Sequence, residues 1–124
     1  MDNIERDYYI KEVENKTITK IIFCVSKNIP LNQEIINEIE KSKCRIIEFG
    51  IKFNQPICDY LPPRIEKIIF NEKFNKFNQR VDNLPTFNPE KGEKGLQSLT
   101  LSKTNNKPLN NLPASVKITR IKYY

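Results

Sequence analysis

The amino-acid sequence predicts a repeat solenoid, mainly β, in which about five short parallel strands stack with one short helix near residues 32–43. Three observations carry that expectation. Five six-residue segments place apolar side chains at their first, fourth and sixth positions: Ile18/Ile21/Phe23, Cys44/Ile47/Phe49, Ile65/Ile68/Phe70, Leu96/Leu99/Leu101 and Val116/Thr119/Ile121. Fourteen of these fifteen positions are apolar, counting Cys44, where the 38% apolar composition would supply about six by chance. The closing residues of successive segments lie 26, 21, 31 and 20 residues apart, a spacing that belongs to repeat architectures. The third observation lies outside the strands. Counting from the closing residue, Asn28, Asn54 and Asn106 stand five positions on, and Leu31, Ile57 and Leu109 stand eight on, each preceded by a proline, Pro30, Pro56 or Pro108.

Residues 1–17 precede the first segment and are expected to form an N-terminal cap or extension. Within them, Asp7 to Val13 suits a strand or a helix, because Tyr9, Lys11 and Val13 alternate with Tyr8 and Ile10 without favouring either period. The first unit, 18–43, is lengthened by Asn32 to Lys43, where Leu31, Ile35, Ile36 and Ile39 share one helical face and Asn32 can cap. The second unit, 44–64, closes with Leu61-Pro62. The third, 65–95, carries the same signature displaced by three residues, in Phe77-Asn78-Gln79-Arg80-Val81, and closes at Leu84-Pro85. Its polar tail, Thr86 to Gly95, contains Pro89, Gly92 and Gly95 and reads as a surface loop. The fourth unit, 96–115, closes at Leu112-Pro113, and a terminal strand occupies 116–124 with no return arm. Either Lys122, Tyr123 and Tyr124 protect that edge, or the edge mediates self-association.

Stacking buries the first, fourth and sixth side chains of each segment in a shared core, so a lone unit could not fold. Asn28, Asn54, Asn78 and Asn106 are expected to form a structural ladder on neighbouring backbone rather than glycan or ligand contacts, with Pro30, Pro56 and Pro108 fixing the chain direction. Phe53, Phe74 and Phe77 are read as core, in preference to a stacked aromatic face for bases.

The segment Phe49-Gly50-Ile51-Lys52-Phe53-Asn54-Gln55-Pro56-Ile57, followed by Leu61-Pro62-Pro63 and Ile65-Glu66-Lys67-Ile68-Ile69-Phe70, resembles the FNIP repeat. That family is similar to leucine-rich repeats and is familiar from social amoebae and from giant DNA viruses of amoebae. The resemblance is close over residues 45–70, extends over 96–121 and is looser over 18–44 and 71–95. It implies a leucine-rich-repeat-like scaffold for protein contacts and brings no catalytic residues. Some arrays of this family follow an F-box, for which residues 1–17 are too short.

Chemistry is narrowed by what the chain lacks. Histidine is absent, which removes the commonest general base and the commonest metal ligand. Cys24, Cys44 and Cys58 contain no CxxC pair and are read as small, buried, reduced thiols. Glu48 and Asp59 have no spaced companion that suggests an acid and base pair. The expectation is a non-enzyme with no catalytic residue, metal or cofactor. No apolar run reaches membrane-span length and residues 1–17 lack a signal-peptide core, so an intracellular protein is expected, in the cytoplasm and in the host cell if viral, without membrane contact. A net charge of +6, from 21 basic and 15 acidic residues, permits nucleic acid, yet the lysines are scattered and no recognisable nucleic-acid module is present.

Function is expected on the outward positions between the buried ones. The third-position column reads Lys20, Ile46, Lys67, Ser98, Ile118, and the fifth reads Ile22, Glu48, Ile69, Thr100, Arg120. Lys20, Ile22, Ile46, Glu48, Lys67 and Ile69 are the candidate partner-binding residues, with Ile22, Ile46 and Ile69 as apolar anchors for a protein whose identity the sequence does not disclose. The alternative is a basic patch that binds nucleic acid or an anionic surface.

Overall fold

A computed structural model of the chain describes residues 7–15, 18–70, 76–81, 84, 87–102, 105–109, 112 and 116–121, the side chains of Asn15, Ile18 and Thr19 excepted. The described residues form one six-stranded sheet and one helix. The strands are β1 (Tyr8–Asn15), β2 (Ile18–Val25), β3 (Ile46–Phe49), β4 (Lys67–Ile69), β5 (Ser98–Ser102) and β6 (Lys117–Ile121), neighbours in chain order. From β2 to β6 every pairing is parallel, as the segments predict. β1 instead runs antiparallel to β2, so the sheet is mixed and the all-parallel expectation is corrected. Only two residues, Lys16 and Thr17, separate the two strands, and a connection that short joins only antiparallel neighbours, whereas parallel ones need a crossover of about a dozen residues or more. The ambiguous stretch from Asp7 to Val13 is thereby a strand from Tyr8 onward.

The expected helix, α1, spans Gln33–Ser42, and the side chain of Asn32 accepts from the Ile35 N–H at 3.0 Å, as its capping position implies. Leu31, Ile35 and Ile39 turn into the core. At the other end, Lys43 adopts a left-handed conformation with φ 55°, and Arg64 donates to the carbonyls of Ile39 and Cys44 at 2.6 and 3.0 Å. A cation there answers the carbonyls that a helix C-terminus leaves over.

The core side of the sheet is where the apolar pattern points. Phe23, Cys44, Ile47, Phe49, Ile65, Ile68, Phe70, Leu96, Leu99 and Leu101 are all buried, and Val116 packs against them. Phe49, Phe70, Phe77 and Phe53 stack in a closed group, with ring centroids 4.9 Å apart for the first pair, 3.8 Å for the second, 6.1 Å for the third and 4.3 Å between Phe53 and Phe49. Phe53 and Phe77 are core, as expected; Phe74 lies outside the described residues. Gly50 permits the close approach of the first two units, because a Cβ there would meet the Ser26 carbonyl oxygen at 3.0 Å while its N–H donates to Val25 at 2.8 Å.

The asparagine ladder is built as predicted. The Asn54 N–H donates to the Asn28 side-chain oxygen at 2.9 Å, Asn78 to Asn54 at 2.9 Å, and Asn106 to Asn78 at 3.2 Å. Gln55 and Gln79 add side-chain donors to the oxygens of Asn28 and Asn54 at 3.0 and 3.2 Å. Asn28, Asn54 and Asn78 thus replace the neighbouring strand as the acceptor for an N–H in the return arm.

Register departs from expectation at both ends. In the middle, Ile47 faces Ile68 and Ile68 faces Leu99, as the repeat implies. At the first junction Phe23 faces Ile47 and Val25 faces Phe49, a slip of two residues from the expected alignment of Phe23 with Phe49. A two-residue slip keeps the same side chains inward, so the apolar pattern is blind to it, and the fully buried Val25 gains a core position. At the last junction Leu99 faces Ile118 and Leu101 faces Arg120, a slip of one that reverses the strand's two faces. Ile118 and Arg120 therefore belong to the core side, not to the outward columns assigned from sequence. With no further described strand beyond it, Ile118 remains 38% exposed, and the Arg120 guanidinium answers the carbonyls of Ser102 and Asn105 at 3.2 and 2.7 Å.

The predicted surface loop contains a short 3-10 turn, Pro89–Lys91, capped by the Asn88 side chain. Tyr123, Tyr124 and Lys122 lie outside the described residues, as do Pro85, Thr86 and Pro113.

Candidate functional site

The sheet face opposite the core is ordered by the observed register into two rows. One runs Lys11, Ile22, Ile46, Lys67, Ser98, Lys117, and the other runs Tyr9, Cys24, Glu48, Ile69, Thr100, Thr119. Of the six candidate residues, Ile22, Ile46 and Lys67 share the first row, and Glu48 and Ile69 share the second. Lys20 is displaced from the column assigned to it: it stands one row further out, opposite Val13, because of the two-residue slip of β2. Ile22 correspondingly neighbours Ile46 rather than Glu48. The three isoleucines remain half-exposed on three adjacent strands.

Tyr9, Lys11 and Cys24 were absent from the sequence-derived surface. The signal for Tyr9 and Lys11 is their alternation with Tyr8 and Ile10, legible only once β1 is known to be a strand, and Cys24 stands one position past the six-residue segment that ends at Phe23. Lys11 reaches across β2 to pair with Glu48 at 2.8 Å, and the Cys24 thiol donates to the same carboxylate at 3.5 Å. Tyr9 hydrogen-bonds Cys24, a contact that raises the phenol pKa, while the bond to Glu48 raises that of Lys11. Burial pushes the Cys24 thiol up to about 11, the nearby Glu48 charge acting in the same direction. Such a thiol is protonated at neutral pH and a poor nucleophile. Cys44 is buried and raised in the same sense, chiefly by desolvation. Cys58 is half-buried and donates to the Arg80 carbonyl at 3.1 Å.

Two hollows flank the isoleucines. A cleft of about 200 Å³ lies among Tyr9, Lys11, Cys24, Glu48 and Gly50. A larger one, about 430 Å³, lies at the entry ends of β2 to β5, lined by Lys20, Ile46 and Lys67 of the candidate set together with Lys43, Arg45 and Glu66. Arg45 and Glu66 form an ion pair across the β3–β4 junction. Among the described residues, no group of three histidine, cysteine or carboxylate side chains is placed to hold a metal, and no helix is long and apolar enough to cross a membrane.

No protein-family model matches the chain, and neither does any curated protein or solved structure.

Proposed function

We propose that the chain is a short, non-enzymatic solenoid of the FNIP, leucine-rich-repeat-like kind, and that it binds another protein through the outward face of its sheet. The observation that supports this reading is the placement of Ile22, Ile46 and Ile69 on three adjacent strands, half-exposed on the side away from the core. Half-exposed apolar side chains framed by charged ones have the composition of an interface centre with a polar rim. The asparagine ladder and phenylalanine stack hold the strands beneath them in place, so a partner meets a preformed surface. Lys11 is committed to Glu48, whereas Lys67 and Lys117 have no ion-pair partner among the described residues, which favours a partner carrying acidic groups around an apolar centre.

The test is affinity capture from lysate at physiological salt, with nuclease, comparing the parent chain with Ile69→Lys and with Lys91→Gln, which lies outside both outward rows. A discrete protein retained by the parent and by Lys91→Gln but lost with Ile69→Lys is the expected result, with all three chains melting alike. Capture that survives Ile69→Lys, or that vanishes with nuclease, refutes the assignment.

A further inference from the structure

The larger cleft shares Lys20, Ile46 and Lys67 with the protein-binding face, yet its charge gives it a chemistry of its own. Its lining brings Lys20, Lys43, Arg45 and Lys67 together against a single carboxylate, Glu66, and that carboxylate is already paired with Arg45. Lys20, Lys43 and Lys67 have no ion-pair partner among the described residues. Like charges gathered around one concavity repel, and focus a positive field into it. The helix end does not require them, since Arg64 already occupies the Ile39 carbonyl.

A second observation points to the same place. Lys43 is the non-glycine residue with positive φ among the described residues, at the helix C-terminal position that glycine or asparagine fills most easily. The chain thus holds a lysine in a costly conformation beside the cleft. Gln97 and Ser98 add neutral hydrogen-bonding groups, and the volume of about 430 Å³ falls in the range of small-molecule sites.

From this arrangement we infer that the cleft binds a compact anion carrying two or more phosphate-type charges, such as a pyrophosphate group. Three uncommitted ammonium groups match a multiply charged oxyanion better than a single carboxylate, while Arg45 stays engaged with Glu66 and the Gly92 carbonyl and adds only its charge.

Isothermal titration of the full chain with inorganic pyrophosphate, with a nucleoside triphosphate and with a single-stranded oligonucleotide tests this. The variants are Lys43→Asn with Lys67→Gln, asparagine being chosen because it tolerates the left-handed backbone, and Lys52→Gln with Lys91→Gln as a charge-matched control outside the cleft. Saturable binding of pyrophosphate to one site is expected, weakened about tenfold or more by the cleft pair and changed less than about twofold by the control pair. Tighter binding of the triphosphate supports the same site with the phosphates as a head group. Absent pyrophosphate binding, or equal losses in both pairs, overturns the inference. Binding of the oligonucleotide without pyrophosphate also overturns it and assigns the charge to nucleic acid. Circular dichroism melting of every variant separates loss of the site from loss of fold.

Discussion

Replacing Asn54 by alanine removes the acceptor for two donors at once, the Asn78 N–H at 2.9 Å and the Gln79 side-chain amide at 3.2 Å. An unpaired buried donor costs about 1–3 kcal/mol, and because Asn54 and Asn78 are half-buried, water recovers part of it; about 1–2 kcal/mol is expected. The same substitution at Asn28 strands the Asn54 N–H and Gln55, but Asn28 is exposed, so its cost is lower, about 0.5–1 kcal/mol. Asn106 accepts from no described residue, and Asn106→Ala should cost less than about 0.5 kcal/mol. Asn54→Asp keeps an oxygen in place and should restore most of the loss. Urea denaturation followed by circular dichroism measures the series, read as shifts in midpoint at constant slope. Equal losses at all three asparagines, or an aspartate as damaging as the alanine, would refute the ladder as the cause and leave turn propensity in its place.

Two further outcomes follow from the core and from the Cys24 cluster. Phe70 is fully buried and stacks on both Phe49 and Phe77, so Phe70→Ala should destabilise by about 3–5 kcal/mol, whereas Tyr60→Ala, at a side chain 40% exposed, should stay within about 0.5 kcal/mol in the same urea assay. Cys24 is a weaker acid when folded, its pKa raised from 9.0 to about 11, so its protonated form is favoured by folding. That stabilisation is complete below about pH 9 and is lost as pH rises through about 11, and the raised values of Tyr9 and Lys11 act in the same direction. Urea midpoints of the parent should therefore fall between about pH 9 and about pH 11, and Cys24→Ala should show a shallower fall. An identical decline in both chains would dismiss the thiol as a contributor.

The centre of this fold was legible because its side chains repeat. Three consecutive segments, from Cys44, Ile65 and Leu96, carry the same inward triplet, and their strands pair as the triplets demand. The asparagines were legible for an independent reason: their spacing is tied to the closing apolar residue, and an oxygen at that point meets the next unit's N–H. The registers at the first and last parallel junctions were not legible, because the apolar pattern does not constrain them. At β2 a shift of two leaves every buried side chain buried, so only the fit of the return arm chooses between registers. At β6 the inward position of Arg120 is favoured by two backbone carbonyls that no apolar pattern records. The same limits explain the candidate site. Ile46, Lys67 and Ile69 came from the well-constrained centre and kept their places relative to one another, while Lys20 came from the slipped strand and moved. The basic cleft gathers residues from β2, the end of α1 and three strand entries, a set whose proximity no local pattern reveals.

The loop between Phe87 and Gly95 has a consequence for how much chain this fold can carry. Pairing Ile68 with Leu99 closes 31 residues, whereas pairing Ile47 with Ile68 closes 21. The cost of closure grows as the logarithm of length, so the longer excursion costs only about 0.3 kcal/mol more at room temperature. Gly92, at φ 78° with nothing within 4 Å of a Cβ position, marks a tip held by one long contact, the Arg45 guanidinium donating to its carbonyl at 3.4 Å. The connection from β4 to β5 is accordingly where the chain can absorb an inserted peptide, an epitope or a reporter, for a few tenths of a kcal/mol, with the strands on either side keeping their partners.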